Sequence, residues 1–173
     1  MEKYDIALTD GMLNYAKSVE QQIKVNRTIA SPKDTIVGSI GELAFAQWFL
    51  GDYKNHDLTA TKGKIDFFNS IEVKTSAFPY SEKLNLLVRN DYAKKRIPSV
   101  YVQIIIDIKP KKIKELNLYS GLICKLCGWA SHNEVIKAPL KDFGNKWGGK
   151  GGYKCHFIPI SKLNSMETFP VKK

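Results

Sequence analysis

The chain has 173 residues, 43% hydrophobic and 25% charged, and its 27 Lys and Arg against 17 Asp and Glu leave a formal charge of +10. Such proportions exclude a generally disordered chain, and no apolar run approaches the about 20 residues needed to cross a bilayer. The length suits a single domain over 1–173, and the basic excess suits a polyanionic partner, because neutralised phosphates release condensed counterions. A membrane surface fits less well, since no lysine-rich amphipathic helix stands out. The opening "MEKYDIALTDG" has no apolar core of a signal peptide, so the expected compartment is the cytoplasm. Three cysteines do not build a disulfide framework.

The first element is a helix over "TDGMLNYAKSVEQQIK", where Met12, Tyr15, Ala16, Val19 and Ile23 recur at helical spacing and Asp10 is the expected N-cap. A second helix starts at "SPKD": Ser31 caps, Pro32 suits the first turn, and Asp34 adds an acid at the third helical position. It runs through "TIVGSIGELAFAQWFL" to Gly51. Its second half is apolar nearly all round, so it is expected to be buried against a sheet, with Glu42 as the one formal charge there. Strands follow. "KIDFF" and "IEVKTS" form an expected hairpin around Asn69 and Ser70, and "LNLLVR" comes next. "SVYVQIIIDI" is a continuous β-branched and aromatic run, the pattern of a buried central strand. "YSGLICKLCGWAS" reads as a further strand, "HNEVIKAPLKDF" as a short helix and "GYKCHFIPI" as a final strand. This order implies an α/β or α+β fold, a mixed sheet flanked by helices, with a core near 32–108 and a strand-helix-strand extension over 118–162.

Within the hairpin, Asp66, Glu72 and Lys74 sit among Ile65, Phe67, Phe68, Ile71 and Val73, residues that favour half-buried pleated surfaces. Charges there are costly unless they are paired or bind something. Glu72 and Lys74, two apart on a strand, share a face. A three-residue loop, Phe68 to Ser70, sets Asp66 opposite Glu72, with Cβ atoms about 5 Å apart. A two-residue loop instead pairs it with Val73 and sends it to the other face. In the first register two carboxylates and a backbone carbonyl such as that of Val73 offer hard oxygen ligands to Mg²⁺ or Mn²⁺, and Glu42 can add a third carboxylate. Such a metal activates water, and Lys74 beside it can orient that water or stabilise a phosphorane-like transition state. The plainer alternative is an amphipathic hairpin whose wet face carries ordinary cross-strand ion pairs.

The ordered set "GE" at Gly41–Glu42, Asp66, then "EVK" at Glu72 to Lys74 resembles the PD-(D/E)XK nuclease superfamily, whose fold is restriction-endonuclease-like. The resemblance covers roughly residues 32 to 108, and Ile65 stands where the nominal motif has proline. It implies a mixed β-sheet flanked by helices and a metal-dependent endodeoxyribonuclease that hydrolyses phosphodiesters in DNA. Asp66 and Glu72 match the metal-binding acids, Lys74 the motif lysine and Glu42 the helical acid. A type II restriction-type enzyme is the first expectation. A structure-selective nuclease such as a Holliday-junction resolvase, or a non-catalytic nucleic-acid-binding module of the same fold, are the alternatives. A homodimer is also implied by the resemblance.

Other features bear on binding. Arg89 with "NDYAKKR" behind it, including Lys94, Lys95 and Arg96, forms a basic segment between two strands, either a contact for a DNA backbone or a solvated turn, and "KPKKIK" is a second basic patch. The glycine-rich "FGNKWGGKGGYK" interleaves Lys146, Lys150 and Lys154, which can reach phosphates, but it lacks the "GxxxxGK[ST]" spacing, so no nucleotide cofactor is expected. Cys124, Cys127, Cys155 and His156 contain four zinc-type ligands, yet adjacent Cys155 and His156 would face opposite sides of a strand. His56 and Asp57 can touch the site from the loop before the hairpin, but a solvated loop pair is the first expectation, and His132 has no evident partner.

Overall fold

The computed structural model describes residues 2–22, 32–112, 115–143 and 153–171. Strand β1 (Asp5–Ala7) precedes helices α1 (Asp10–Gln22) and α2 (Pro32–Phe49). Then come β2 (Ile71–Phe78), β3 (Asn85–Arg89), α3 (Asn90–Lys95), β4 (Val100–Asp107), β5 (Ile123–Ser131), α4 (His132–Lys137), β6 (Leu140–Asp142) and β7 (Lys154–Pro159). A four-stranded sheet has the order β1-β5-β4-β2 and a three-stranded sheet the order β3-β7-β6, so the protein is mixed α and β. All neighbours are antiparallel except β2 and β4. A parallel pair needs a crossover, and β3 with α3 provides it.

The run "VYVQIIID" lies between β5 and β2, and its first seven residues are buried, as its lack of alternation requires. One face of this sheet carries α1 and α2. Met12, Leu13, Ala16 and Val19 of α1 and Ile40, Leu43, Phe45 and Phe49 of α2 meet Ile71, Val73, Val102, Ile104 and Ile106 in one core. Full burial of each large side chain contributes roughly 1.5–3 kcal/mol relative to exposure. The opposite face carries Tyr101 and Ala130 into a smaller core with Leu86, Val88, Ala93 and Val135, joined by Ile158 of β7. The second sheet therefore backs onto the first. No helix among the described residues is long and apolar enough to cross a membrane.

Local chemistry sets the boundaries. Thr9 Oγ1 accepts the Met12 N–H at 3.2 Å, so Thr9 and not Asp10 caps α1. The expected cap Ser31 and the residue Ile23 lie outside the described residues. Gly51 at φ 81° takes the left-handed turn after α2, the conformation that ends helices. The "HNEVIK" helix is closed by Ser131, whose side chain accepts from Glu134 N while Glu134 reaches back to the Ser131 N–H. It stops at Lys137, and Leu140–Asp142 is a strand where helix was expected. Three elements depart further from the sequence reading. Asp5–Ala7 joins the sheet as an edge strand, and "NDYAKK" is a helix instead of a turn. The strand expected over "KIDFF" reduces to a single bridge, Phe67 to Ile71.

Candidate active site at the edge of the central sheet

The bridge fixes the register. Phe67 and Ile71 exchange both backbone bonds at 3.0 Å, and the loop between them is Phe68 to Ser70, with Phe68 and Asn69 at φ 51° and 55°. Asp66 therefore stands opposite Glu72. The next rung of an antiparallel ladder would join Val73 N–H to the Ile65 carbonyl. Asp66 takes that donor instead: its Oδ2 accepts from Val73 N at 2.8 Å. The side-chain carboxylate ends the ladder, which is why "KIDFF" is no strand. Because the N–H and C=O of one strand residue leave toward the same side, the Val73 carbonyl points off the free edge of β2, beside Asp66.

The alternation of β2 sorts its residues. Ile71 and Val73 go to the helical core, and Glu72 and Lys74 to the face shared with Tyr101 and Gln103, which they pair with in parallel register. Lys74 Nζ donates to Glu72 Oε1 at 2.9 Å, and Arg96 Nη1 lies 3.9 Å from the same oxygen. Glu72 is buried, with only 8% of its side chain exposed, and its Oε2 has no hydrogen-bond partner among the described residues. Tyr101 lies beside it, and burial together with the Glu72 charge pushes the phenol up to about 12.

Glu42 arrives from the other side of the strand. A methyl group at Gly41 would overlap the Thr75 side chain, so the glycine lets α2 lie close against β2. That close approach brings Glu42 into the field of Asp66. Glu42 Oε2 is 2.8 Å from His56 Nε2. The His56 ring stacks on Phe67, with centroids 4.1 Å apart and planes at 20°, and the residue is 7% exposed. The solvated loop expected here is thus half wrong: Asp57 is exposed, but His56 is part of the site. Burial lowers its pKa, against the opposing pull of Asp66 and Asp57, so it is neutral near pH 7.

Asp66 sits under opposing electrostatic influences. Burial first, then the charges of Glu42 and Glu72, hold its carboxyl well above the usual carboxylate range, while the Val73 N–H and Lys74 pull the other way. A second carboxylate and an orphaned oxygen in one place are what a cation relieves. Among the described residues no three His, Cys, Asp or Glu side chains form a group that could hold a metal ion. Mg²⁺, however, is commonly bound through one or two carboxylates, with waters and substrate phosphates completing its shell. The Asp66–Glu72 pair with the Val73 carbonyl fits that donor set.

The remaining sequence candidates distribute as follows. Arg89 is tied to Asp91 through Nε at 3.0 Å and Nη2 at 2.7 Å, and Lys94 and Lys95 are exposed at the end of α3. Lys146 and Lys150 lie outside the described residues. Cys124 and Cys127 belong to β5 and Cys155 and His156 to β7, in different sheets, and all three thiols are free. His132, expected to lack a partner, has its Nδ1 3.2 Å from the Tyr101 hydroxyl. Sequence reasoning ranked a solvated loop above a site contact for His56, missed Tyr101 at the site and left Arg96 within a general basic segment. Loop residues carry no periodicity that could flag burial. No family model, no curated protein and no solved structure matches the chain.

Proposed function

We propose that the protein is a divalent-metal-dependent endodeoxyribonuclease of restriction-endonuclease-like fold, with Asp66, Glu72 and Lys74 as its centre and Glu42 in support. The observation that carries this reading is Glu72 Oε2, buried without a partner among the described residues and beside a second carboxylate that is itself held protonation-prone. Folding alone gives no reason to keep that oxygen unsatisfied, which costs about 1–3 kcal/mol. Asp66 and Glu72 would hold Mg²⁺ or Mn²⁺, with the Val73 carbonyl at the same sheet edge. Bound there, the ion supplies a water of lowered pKa and neutralises charge on the scissile phosphate.

The chain's own groups do the rest. Lys74, oriented by Glu72 Oε1 and with 29% of its side chain exposed, presents an ammonium to the substrate side. It positions the attacking water and offsets negative charge that grows on the phosphate oxygens. His56, neutral and locked on Phe67, donates through Nε2 and fixes the Glu42 carboxylate. The net charge of +10 draws the polyanionic substrate. Cutting both strands of a duplex would require two such centres, as in a homodimer. The test is direct. Wild-type protein with Mg²⁺ or Mn²⁺ should nick plasmid or branched DNA, and Glu72→Gln should not. A protein that leaves every such DNA intact, or a variant as active as wild type, overturns the reading.

A further inference from the structure

Beyond the acids, a run of alternating guanidinium groups and tyrosine rings leads away from Glu72. Arg96, 3.9 Å from Glu72 Oε1, has its Cζ 5.5 Å from the Tyr92 ring centre. The Arg89 Cζ lies 4.4 Å from the same ring and 4.3 Å from that of Tyr153. Asp91 grips Arg89 through two nitrogens and fixes the plane of its guanidinium. Both tyrosines nonetheless stay exposed as residues, Tyr92 at 38% and Tyr153 at 40%. Lys94, Lys95 and Lys154 are exposed on the same elements, α3 and β7, with Asp91 as the acid that Arg89 engages.

We infer that this run, Arg96–Tyr92–Arg89–Tyr153, is a track for unpaired nucleotides next to the cut, so that the substrate is DNA with a single-stranded or splayed segment. The inference rests on the nuclease reading for its placement beside Glu72. Exposed tyrosines alternating with cations make a surface on which nucleobases can stack while phosphates meet positive charge. A continuous duplex offers no free base faces, because its bases are stacked on each other, so the tyrosine rings have nothing to stack on there and only their hydroxyls can reach its phosphates. Phosphate contacts by lysine and arginine alone would serve a duplex equally well. The tyrosines are therefore the discriminating feature, and the track's continuity with Glu72 places the unpaired segment at the scissile bond.

The experiment measures binding without divalent metal, by fluorescence anisotropy. The probes are fluorescein-labelled oligo(dT) of about 12 nucleotides, within the span of single-strand sites, and a duplex of the same length. Wild type should prefer oligo(dT). Tyr92→Leu and Tyr153→Leu should each weaken oligo(dT) binding about tenfold, in line with the loss of one stacked base, and leave duplex affinity unchanged. Tyr92→Phe and Tyr153→Phe, which keep the ring, should bind as wild type does. Circular dichroism checks folding, and should Tyr92→Leu fail to fold, Tyr153→Leu carries the comparison. Leucine variants that bind oligo(dT) as tightly as wild type, or lose single strand and duplex alike, overturn the track, as does a wild type without preference. Cleavage assays run in parallel separate the two readings. A wild type that cuts nothing yet shows the tyrosine dependence keeps the track and removes the nuclease. Cleavage that persists with unchanged oligo(dT) binding in the leucine variants does the reverse.

Discussion

Two acid–lysine pairs occupy opposite edges of the central sheet, one across two strands and one along a single strand, and they differ in completeness. At the β1 edge, Asp5 meets Lys125 across the strands, with side chains 9% and 20% exposed. Both Asp5 oxygens accept from Lys125 Nζ, at 3.3 and 3.2 Å, and Oδ2 also takes the Glu2 N–H. At the β2 edge, Glu72 and Lys74 are 8% and 29% exposed, and one Glu72 oxygen is bonded while the other has no partner among the described residues. A second carboxylate, Asp66, is packed beside it. The first pair is what a sheet edge builds for stability. The second has the same components but is left open, and an acceptor in that state is a debt to folding that a ligand can settle.

The sharpest way to break this contrast is to neutralise one acid at each edge. Glu72→Gln or Asp66→Asn should lower metal-dependent DNA cleavage by at least about 10³-fold, of the order seen when a principal electrostatic group is removed. Asp5→Asn should leave cleavage within about twofold and act on stability instead. Equal losses at both edges would end the distinction. Lys74→Met should lower the cleavage rate by about 10²-fold, the scale of one acid–base or charge-stabilising group, without a comparable change in DNA affinity by anisotropy. Gly41→Ala tests how the site is assembled. Its methyl group must displace Thr75 or push α2 away, at about 1–3 kcal/mol for an overpacked contact, read by urea denaturation.

The contrast also has a pH signature. Asp66 has its folded pKa raised above the ordinary value of 3.8, by burial and by Glu42 and Glu72. Between those two pKa values the folded state binds more protons than the unfolded one, so stability falls as pH rises through the window and is lower above it. In EDTA, wild type should show this fall, Asp66→Asn should lack it, and Asp5→Asn should keep it. The smallest expected effect belongs to Tyr101→Phe, which removes the 3.2 Å contact with His132 Nδ1. A loss of about 0.5–1.5 kcal/mol is expected for one hydrogen bond, measured by thermal melting.

Much of the fold is legible along the chain. The uninterrupted run Val100–Ile106, the apolar second half of α2 and the proline and glycine at its ends each announce their element through a local rule, because burial on both faces or a special backbone angle admits few residue types. Where the reading failed, a non-local partner decided. "KIDFF" has the composition of a strand, but Asp66 takes the Val73 N–H that pairing would need. Asp5–Ala7 is too short to show a period and becomes a strand only because β5 offers it an edge. "NDYAKK" turns helical where the chain must cross from β2 to β4.

For the site, the sequence by itself determined which charges lie in apolar surroundings and, through the two-residue period of a strand, that Glu72 and Lys74 share a face. It left two loop lengths open for Asp66 and, for His56, ranked a solvated loop above a contact with the site. Tertiary structure chose the three-residue loop, brought Glu42 across the strand at Gly41, buried His56 against Phe67 and left one Glu72 oxygen alone. The division has a physical cause. Periodicity and backbone preference act between residues a few positions apart, whereas the satisfaction of a buried polar atom depends on groups that meet only once the layers are packed.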